Sequence, residues 1–158
     1  MIENNKAVVF RAGNEEYATP VPFVISIEKM DGITPIPHLP AYVRGIVKVR
    51  GELIPVVDFE EILYTRKLAD SDSARMIVLQ TDELSFAVLV NEAKEILDIP
   101  EGCLKQPGLI AYQKTNYFTG VANIDNRLIT IIDPLKLVES LDGIREIKEY
   151  MKTQHTTA

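Results

Sequence analysis

Two stretches of the sequence match each other without a gap. Residues 45–58 read GIVKVRGELIPVVD, and residues 120–133, shifted by 75 positions, read GVANIDNRLITIID. A glycine, a Leu-Ile pair and an aspartate recur at the same places, and most apolar positions stay apolar. A match of this length and quality predicts that the chain arose by internal duplication.

Each of these stretches predicts a β-hairpin followed by a short helix. A polar turn, residues 50–52 in one and 125–127 in the other, separates two apolar runs of strand length. Asp58 and Asp133 each precede a run with helical spacing. Aspartate is a favoured N-cap residue, so we expect a helix to begin after each of them.

A second repeated pattern lies upstream of each hairpin. It consists of two apolar runs around a polar turn, and then a strand that mixes apolar and charged residues. In the first half these segments are residues 8–11, 17–21 and 25–30, and in the second half they are residues 76–79, 86–90 and 94–99. Short, closely spaced strands favour closed barrels, which remove exposed sheet edges. The sequence therefore predicts an all-β protein of two packed five-stranded barrels with short helices.

We expect one domain over residues 1–158, with the first lobe at about 6–65 and the second at about 75–140. The polar residues 66–73 are interpreted as the connection between the lobes. Near the end of the chain, apolar residues recur at three- and four-residue steps, which predicts an amphipathic helix over 143–152. We expect this helix to pack on the barrel surface and residues 154–158 to be frayed.

The composition argues against several classes of protein. The net charge is −6 and basic residues are scattered, which disfavours nucleic-acid binding. The single cysteine, Cys103, cannot form an intramolecular disulfide, and the start of the chain lacks a signal-peptide pattern. No apolar run approaches the roughly 20 residues that span a bilayer. We therefore expect a cytoplasmic protein that does not insert into the membrane.

Little in the sequence resembles a catalytic or cofactor site. His38 lies between prolines and His155 lies in the polar tail, while Cys103 has no neighbouring histidine. The glutamate pairs 15–16 and 60–61 are interpreted as solvated, the first in a turn and the second at a helix start. No glycine-rich phosphate-binding loop follows a strand. We expect no catalytic residue, no metal and no cofactor, and predict that the protein is not an enzyme.

The stretch over residues 33–58, ITPIPHLPAYVRGIVKVRGELIPVVD, resembles the CheW family. The family pattern is a proline-containing link, a glycine, an apolar strand, Arg-Gly, and a strand of the form apolar-Pro-apolar-apolar-Asp. The resemblance covers about residues 6–140. Two departures are mild: the family often has Asn-Leu where this chain has Lys48-Val49, and an aspartate where it has Asn91.

The resemblance implies an adaptor with two SH3-like barrels that joins methyl-accepting chemoreceptors to the CheA histidine kinase at membrane receptor arrays. The first lobe would contact the kinase regulatory domain, itself a CheW-like module, and the receptor's hairpin tip would lie against the junction of the lobes. Family coupling positions correspond here to Val24, Gly45 and Arg50. We add Ile46, because an exposed apolar strand residue offers a docking patch. We expect a monomer in solution.

Each of these residues also has a purely structural interpretation. Gly45 could be needed at a strand start that leaves no room for a Cβ atom. Arg50 could pair with Glu52 or Asp58 in its own lobe, and Val24 could belong to the core. Two alternative functions also stay open: a scaffold for a different receptor–kinase pathway, and a small-ligand-binding β-barrel.

Overall fold

The computed structural model describes residues 6–82, 84–100, 104–105 and 117–156. This part of the chain is mostly β-structure with short helices. The strands are β1 (Lys6–Ala12), β2 (Glu15–Pro20), β3 (Val24–Lys29), β4 (Val43–Val49), β5 (Glu52–Asp58), β6 (Arg75–Gln80), β7 (Ser85–Val90), β8 (Glu92–Asp98), β9 (Leu104–Lys105), β10 (Phe118–Ile124) and β11 (Arg127–Ile132). The helices are α1 (Phe59–Tyr64), α2 (Pro134–Ser140) and α3 (Ile144–Thr156), and a 3-10 turn spans Val21–Phe23.

The strands form two sheets. One has five strands in the order β3-β6-β7-β5-β4, and the other has six in the order β8-β1-β2-β11-β10-β9. The sixth strand, β9, is only two residues long, so each sheet has five full strands. The predicted class, a β-protein of two five-stranded units with short helices, is confirmed.

Apolar residues on both faces of the central strands hold the two sheets together. In β1, Val9 faces a core that belongs to the six-stranded sheet, whereas Val8 and Phe10 face a core shared between the sheets. In β7, Leu89 lies in the core of the five-stranded sheet, and Val88 lies in the shared core. Successive side chains of a strand point to opposite faces, so a strand buried on both sides is a continuous apolar run.

The division of the chain between the sheets differs from the predicted lobes. The five-stranded sheet takes β3 to β7, which spans residues 24–90, and the six-stranded sheet combines β1 and β2 with β8 to β11. The hairpin β1–β2 therefore pairs with strands from the second half of the chain, and the hairpin β6–β7 pairs with strands from the first half. The two halves have exchanged their first hairpins, so the boundaries 6–65 and 75–140 do not separate the sheets.

The chain passes from one sheet to the other at two short segments. The first is the 3-10 turn Val21–Phe23, between β2 and β3, and the second is Asn91, between β7 and β8. Residues 66–73, predicted to link the lobes, instead lie between α1 and β6. They are part of the connection from β5 to β6 within the five-stranded sheet. Leu68 in this segment is buried in the core of that sheet.

The two duplicated hairpins share their irregularities as well as their strands. A register shift lies between Val43 and Gly45 in β4, and an equivalent one lies between Phe118 and Gly120 in β10. Both hairpins end at the predicted N-cap. The Asp58 carboxylate accepts a hydrogen bond from the backbone N–H of Glu61, and the Asp133 carboxylate accepts from Leu135 and Lys136.

The C-terminal helix α3 begins one residue later than predicted and ends four residues later. Its apolar stripe packs against the five-stranded sheet, as expected, with Ile147 and Met151 buried. Within the described residues, no helix combines the length and apolar character needed to cross a bilayer.

Asn91 links the point where the chain passes between the sheets to the hairpin β1–β2. Its side-chain oxygen accepts a hydrogen bond of 2.8 Å from the Gly13 N–H, and its own N–H donates to the Arg11 carbonyl oxygen at 3.0 Å. Its carbonyl oxygen also accepts from the Ser73 hydroxyl. The residue thus joins the β1–β2 turn to the point where the chain changes sheets.

We expect Asn91→Ala to lower the free energy of unfolding by about 1–2 kcal/mol, because the N–H of the buried Gly13 loses its acceptor. Asn91→Asp keeps an acceptor oxygen and is the matched control, with a loss of less than half as much. Urea denaturation of the three proteins tests this. Equal losses for the two variants would show that the side-chain hydrogen bond is unimportant.

Candidate partner-binding surface

The hairpin β4–β5 presents Arg50 at its tip. Val49 pairs with Glu52, and Arg50 and Gly51 form the two-residue turn with positive φ angles of 52° and 83°. Two successive residues with positive φ are typical of a type I′ turn, whose twist matches that of the flanking strands. The Arg50 side chain is exposed, and among the described residues no ion pair joins it to Glu52 or Asp58.

Gly45 has a definite structural role. Its φ is +143°, and a Cβ atom built there would lie 2.1 Å from the carbonyl oxygen of Thr34. Thr34 approaches this closely because it forms a bridge with the next residue, Ile46, through hydrogen bonds of 2.8 and 2.9 Å. Only glycine fits between the strand and this crossing backbone. This close approach confirms the structural role predicted for Gly45. Its contact with a partner stays a prediction.

Asp58 anchors the base of the same hairpin. Its carboxylate is buried and receives three hydrogen bonds: from the Glu61 N–H at 3.1 Å, from the Leu68 N–H at 2.9 Å and from the Arg44 guanidinium at 3.0 Å. Arg44 is itself only 14% exposed and lies 3.8 Å from Asp70. Asp58 therefore pairs with Arg44 and not with Arg50, which leaves the Arg50 charge available at the surface.

A shallow groove of about 530 Å³ lies beside Arg50, between the edge strands β3 and β4. Its lining carries charges of both signs, with Glu28 and Lys29 on β3, Asp31 just after it, Lys48 on β4 and Arg50 in the turn. A surface of this kind favours orientation of a charged protein partner over binding of a small apolar ligand.

Ile46 is not exposed, contrary to the prediction. It is 8% exposed and packs against Ile147 and Met151 of α3. The alternation along β4 correctly puts Ile46 on the outer face of the sheet, but the helix covers that face. Direct contact of Ile46 with a partner stays a prediction, because α3 covers this residue in the structure.

Val24 begins β3 and is half-buried, and its backbone pairs with Leu79 of β6. It packs at the edge of the shared core and also lines a surface groove of about 420 Å³ with Phe23 and Leu135. Val24 thus contributes to the core, as its structural interpretation predicted, and it also reaches the surface. Its contact with a partner stays a prediction.

Two exposed apolar residues near the junction of the sheets were not predicted from the sequence. Ile27 in β3 is 42% exposed and Ile96 in β8 is 60% exposed. Strand β3 pairs with β6, and β8 contacts the same strand from the other sheet. The duplication could have indicated these two residues, because each lies in the strand that follows the first hairpin of its half.

The described part of the chain brings together few groups that could take part in catalysis. His38 is exposed in a turn, and Glu16 pairs with Arg127 at 2.7 Å. Glu60 is buried and paired with Arg66, so its prediction as a solvated side chain was wrong. No group of three or more His, Cys, Asp or Glu side chains in the described part of the chain could hold a metal ion. Cys103 lies outside the described residues, and the His155 side chain is likewise not described.

Near the start of α3, the Tyr42 hydroxyl donates a hydrogen bond to the carbonyl oxygen of Asp142. Burial, together with the nearby charges of Asp142 and Glu146, raises the pKa of Tyr42 to about 12. The phenol therefore stays protonated and keeps donating at about pH 10, where an unperturbed tyrosine is half ionised. The hydrogen bond ties the residues that lead into α3 to the link that leads into β4.

A family model described as the CheW-like domain matches residues 6–142 of this chain. The chain belongs to the CheW-like family. The matched region includes both sheets and α2, and it ends just before α3. The two-sheet unit described above is therefore the CheW-like domain, and α3 follows it.

Individual relatives agree with this assignment. The chemotaxis protein CheW of Bacillus subtilis (strain 168) is 29% identical over 136 residues, which covers 81% of this chain and 83% of the relative. The chemotaxis protein CheW of Thermotoga maritima is 30% identical over 115 residues, covering 73% and 74%. The crystal structure of the scaffolding protein TtCheW from Thermoanaerobacter tengcongensis superimposes with a TM-score of 0.75 at 28% identity, covering 84% of this chain and 86% of that one. This CheW-like chain is thus similar to members of the family in both fold and sequence.

We expect Gly45→Ala to lower the free energy of unfolding by about 3 kcal/mol or more, because the new methyl group meets the Thr34 carbonyl and the backbone is strained. Gly51→Ala is the matched control, since its φ is also positive but a Cβ atom there meets nothing within 4 Å. Its loss should be about 1–2 kcal/mol. Thermal and urea unfolding measure both. Similar losses would contradict the close approach of Thr34.

Proposed function

We propose that this protein is a non-enzymatic adaptor that couples methyl-accepting chemoreceptors to a CheA-type histidine kinase in bacterial chemotaxis signalling. The observation that carries the proposal is the CheW-like match over residues 6–142, which extends across both sheets. An adaptor needs a rigid scaffold and separate contact surfaces, but no reactive groups. It would act as a monomer in the cytoplasm, held at membrane receptor arrays by its partners.

The kinase regulatory domain is proposed to bind at the five-stranded sheet, around the hairpin β4–β5. Arg50 lies at the tip of this hairpin with its charge exposed, while Gly45 and Asp58 fix the hairpin's base. A planar guanidinium on a rigid turn can bind a carboxylate with two parallel hydrogen bonds. Because the turn is already ordered, little conformational entropy would be lost on binding.

The receptor's helical tip is proposed to bind at the junction of the sheets. Val24, Ile27 and Ile96 provide apolar surface there, on the edge strands β3 and β8. Exposed apolar side chains near a groove are typical of sites that accept another protein. Kinase and receptor would then occupy different surfaces of one small scaffold, which would let the adaptor hold both at once.

Arg50→Glu should weaken binding of a purified kinase regulatory domain by about tenfold or more, because an attractive charge becomes repulsive. Lys136→Glu on the exposed face of α2 makes the same change of charge elsewhere and is the matched control. Isothermal titration calorimetry measures both affinities. Equal weakening would indicate only a general effect of net charge, and no binding by the wild-type protein would refute the kinase contact.

Ile96→Asp should weaken binding of a receptor cytoplasmic fragment by about tenfold, because a buried contact at the junction would lose its apolar surface. Leu128→Asp is the matched control, since Leu128 is 63% exposed but lies on β11, away from the edge strands. Co-sedimentation with receptor-containing membranes reports binding. An unchanged affinity for Ile96→Asp would exclude this residue from the receptor surface.

A further inference from the structure

Strand β8 places two side chains against the usual pattern of a half-buried strand. Glu95 pairs with Val9, which lies in the core of the six-stranded sheet, so the glutamate is on the face that points toward this core. Ile96 pairs with Val8 on the opposite face and is 60% exposed. A strand that directs a carboxylate inward and leaves an isoleucine in solvent needs an interaction that stabilises this register.

A β-bulge at Lys94 produces this orientation. The register of β8 against β1 shifts between Val9 and Phe10, and Lys94 is the extra residue that has no pairing position in β1. An extra residue exchanges the faces of the side chains that follow it. If Lys94 paired in a regular, bulge-free register, Ile96 would lie opposite Ala7 and point toward the core of the six-stranded sheet. The bulge therefore decides whether this isoleucine is exposed or buried.

Arg127 of β11 supplies the positive charge that Glu95 pairs with. Its Nη2 donates to Oε2 of Glu95 at 2.7 Å and to Oε1 of Glu16 at 2.7 Å, and its Nε donates to the same Glu16 oxygen at 3.1 Å. In the sheet, β1 and β2 lie between β8 and β11, so the contact with Glu95 reaches across two strands. An isolated surface ion pair contributes little, but a guanidinium that joins two carboxylates through several hydrogen bonds contributes more.

This network stabilises only the bulged register. Arg127 lies two residues before Ile129, which belongs to the core of the six-stranded sheet. Glu16 precedes Ala18 of the same core by the same interval, so both charged side chains are on the face toward which Glu95 points. In the bulge-free register Glu95 would point to the opposite face, away from Arg127. The ion pair is therefore lost whenever the strand slips.

We propose that Arg127 is a positioning residue for receptor binding, because through Glu95 it holds β8 in the bulged register that keeps Ile96 at the surface. This inference rests on the proposed function, in which Ile96 contacts the receptor's tip. Arg127 acts through the strand and does not itself contact the receptor. Its loss would turn Ile96 inward and remove apolar surface from the junction of the sheets, while the hairpin β4–β5 would stay unchanged.

Methyl NMR tests the register of β8 without any partner. In the wild-type protein, the Ile96 methyl groups should show nuclear Overhauser contacts to Val8, its cross-strand neighbour. In Arg127→Met, contacts to the Ala7 methyl group should appear and those to Val8 should weaken. Arg127→Lys keeps a positive charge and should retain the wild-type contacts. An Ile96 side chain that contacts only Val8 in Arg127→Met would overturn the inference.

Affinity measurements test the consequence for binding. Arg127→Met should weaken binding of the receptor cytoplasmic fragment by about fivefold or more and leave the affinity for the kinase regulatory domain unchanged. Arg11→Met is the matched control, because it also removes an ion pair with β8, but at Glu92, ahead of the bulge. It should leave the receptor affinity unchanged. Equal weakening by the two variants would contradict a specific role of Arg127.

A double-mutant cycle shows whether Arg127 acts through Ile96. If it does, Arg127→Met should cause no further loss of receptor affinity in a protein that already carries Ile96→Ala. The same loss in both backgrounds would refute the positioning role. If Arg127→Met does not fold, Glu95→Ala removes the same contact from β8 and leaves Arg127 paired with Glu16. The same NMR and affinity results are expected for it.

The tests separate this inference from the proposed function. If the wild-type protein does not bind the receptor fragment, the receptor contact is refuted and the positioning role with it. If the wild-type protein binds and Ile96→Asp weakens binding, while Arg127→Met changes neither the Ile96 contacts nor the affinity, the proposed function stands and only the role of Arg127 is refuted.

Discussion

The fold depends on a core that two sheets share. Each sheet buries one face around its own interior and the other face against its neighbour, so the central strands are apolar on both sides. Aromatic rings from the six-stranded sheet and from α1 meet in this shared core, where the rings of Phe10 and Tyr17 lie 5.5 and 5.3 Å from that of Phe59. Edge-to-face packing of this kind adds specificity to the burial of large apolar surfaces. A shift of one residue in any central strand would exchange its two faces and disrupt two cores at once.

The shared core also fixes the geometry of the candidate partner surface. Phe59 follows directly after Asp58, so the buried ring and the buried carboxylate hold the end of β5 together. Asp58 then ties the start of α1, the backbone of Leu68 and the side chain of Arg44 to that point. The equivalent Asp133 caps α2 but has no comparable set of partners among the described residues. The two halves of the chain therefore share a plan, and among the described residues the first hairpin has the larger set of contacts at its base.

Much of this architecture could be predicted, because the signals are local. A polar turn between apolar runs predicts a hairpin, and the aspartates at 58 and 133 predict helix starts, which the structure confirms. The exchange of hairpins could not be predicted, since the repeated pattern is the same whichever half supplies each strand. The burial of Ile46 was missed for a similar reason: alternation along β4 identifies its outer face but not the helix that covers it. Exposure of Ile27 and Ile96 depends on where two edge strands end up, which only the tertiary arrangement determines.

The exchanged hairpins have a consequence for how the chain is made. During synthesis β1 and β2 leave the ribosome first, yet the strands that complete their sheet, β8, β10 and β11, are among the last to emerge. The five-stranded sheet, by contrast, has all its strands once residue 90 has been translated. The nascent chain must therefore carry an unfinished hairpin, with open edges, through most of its translation. Cutting the gene between the halves would likewise not yield two folded lobes, because each fragment would contain a hairpin that belongs to the other.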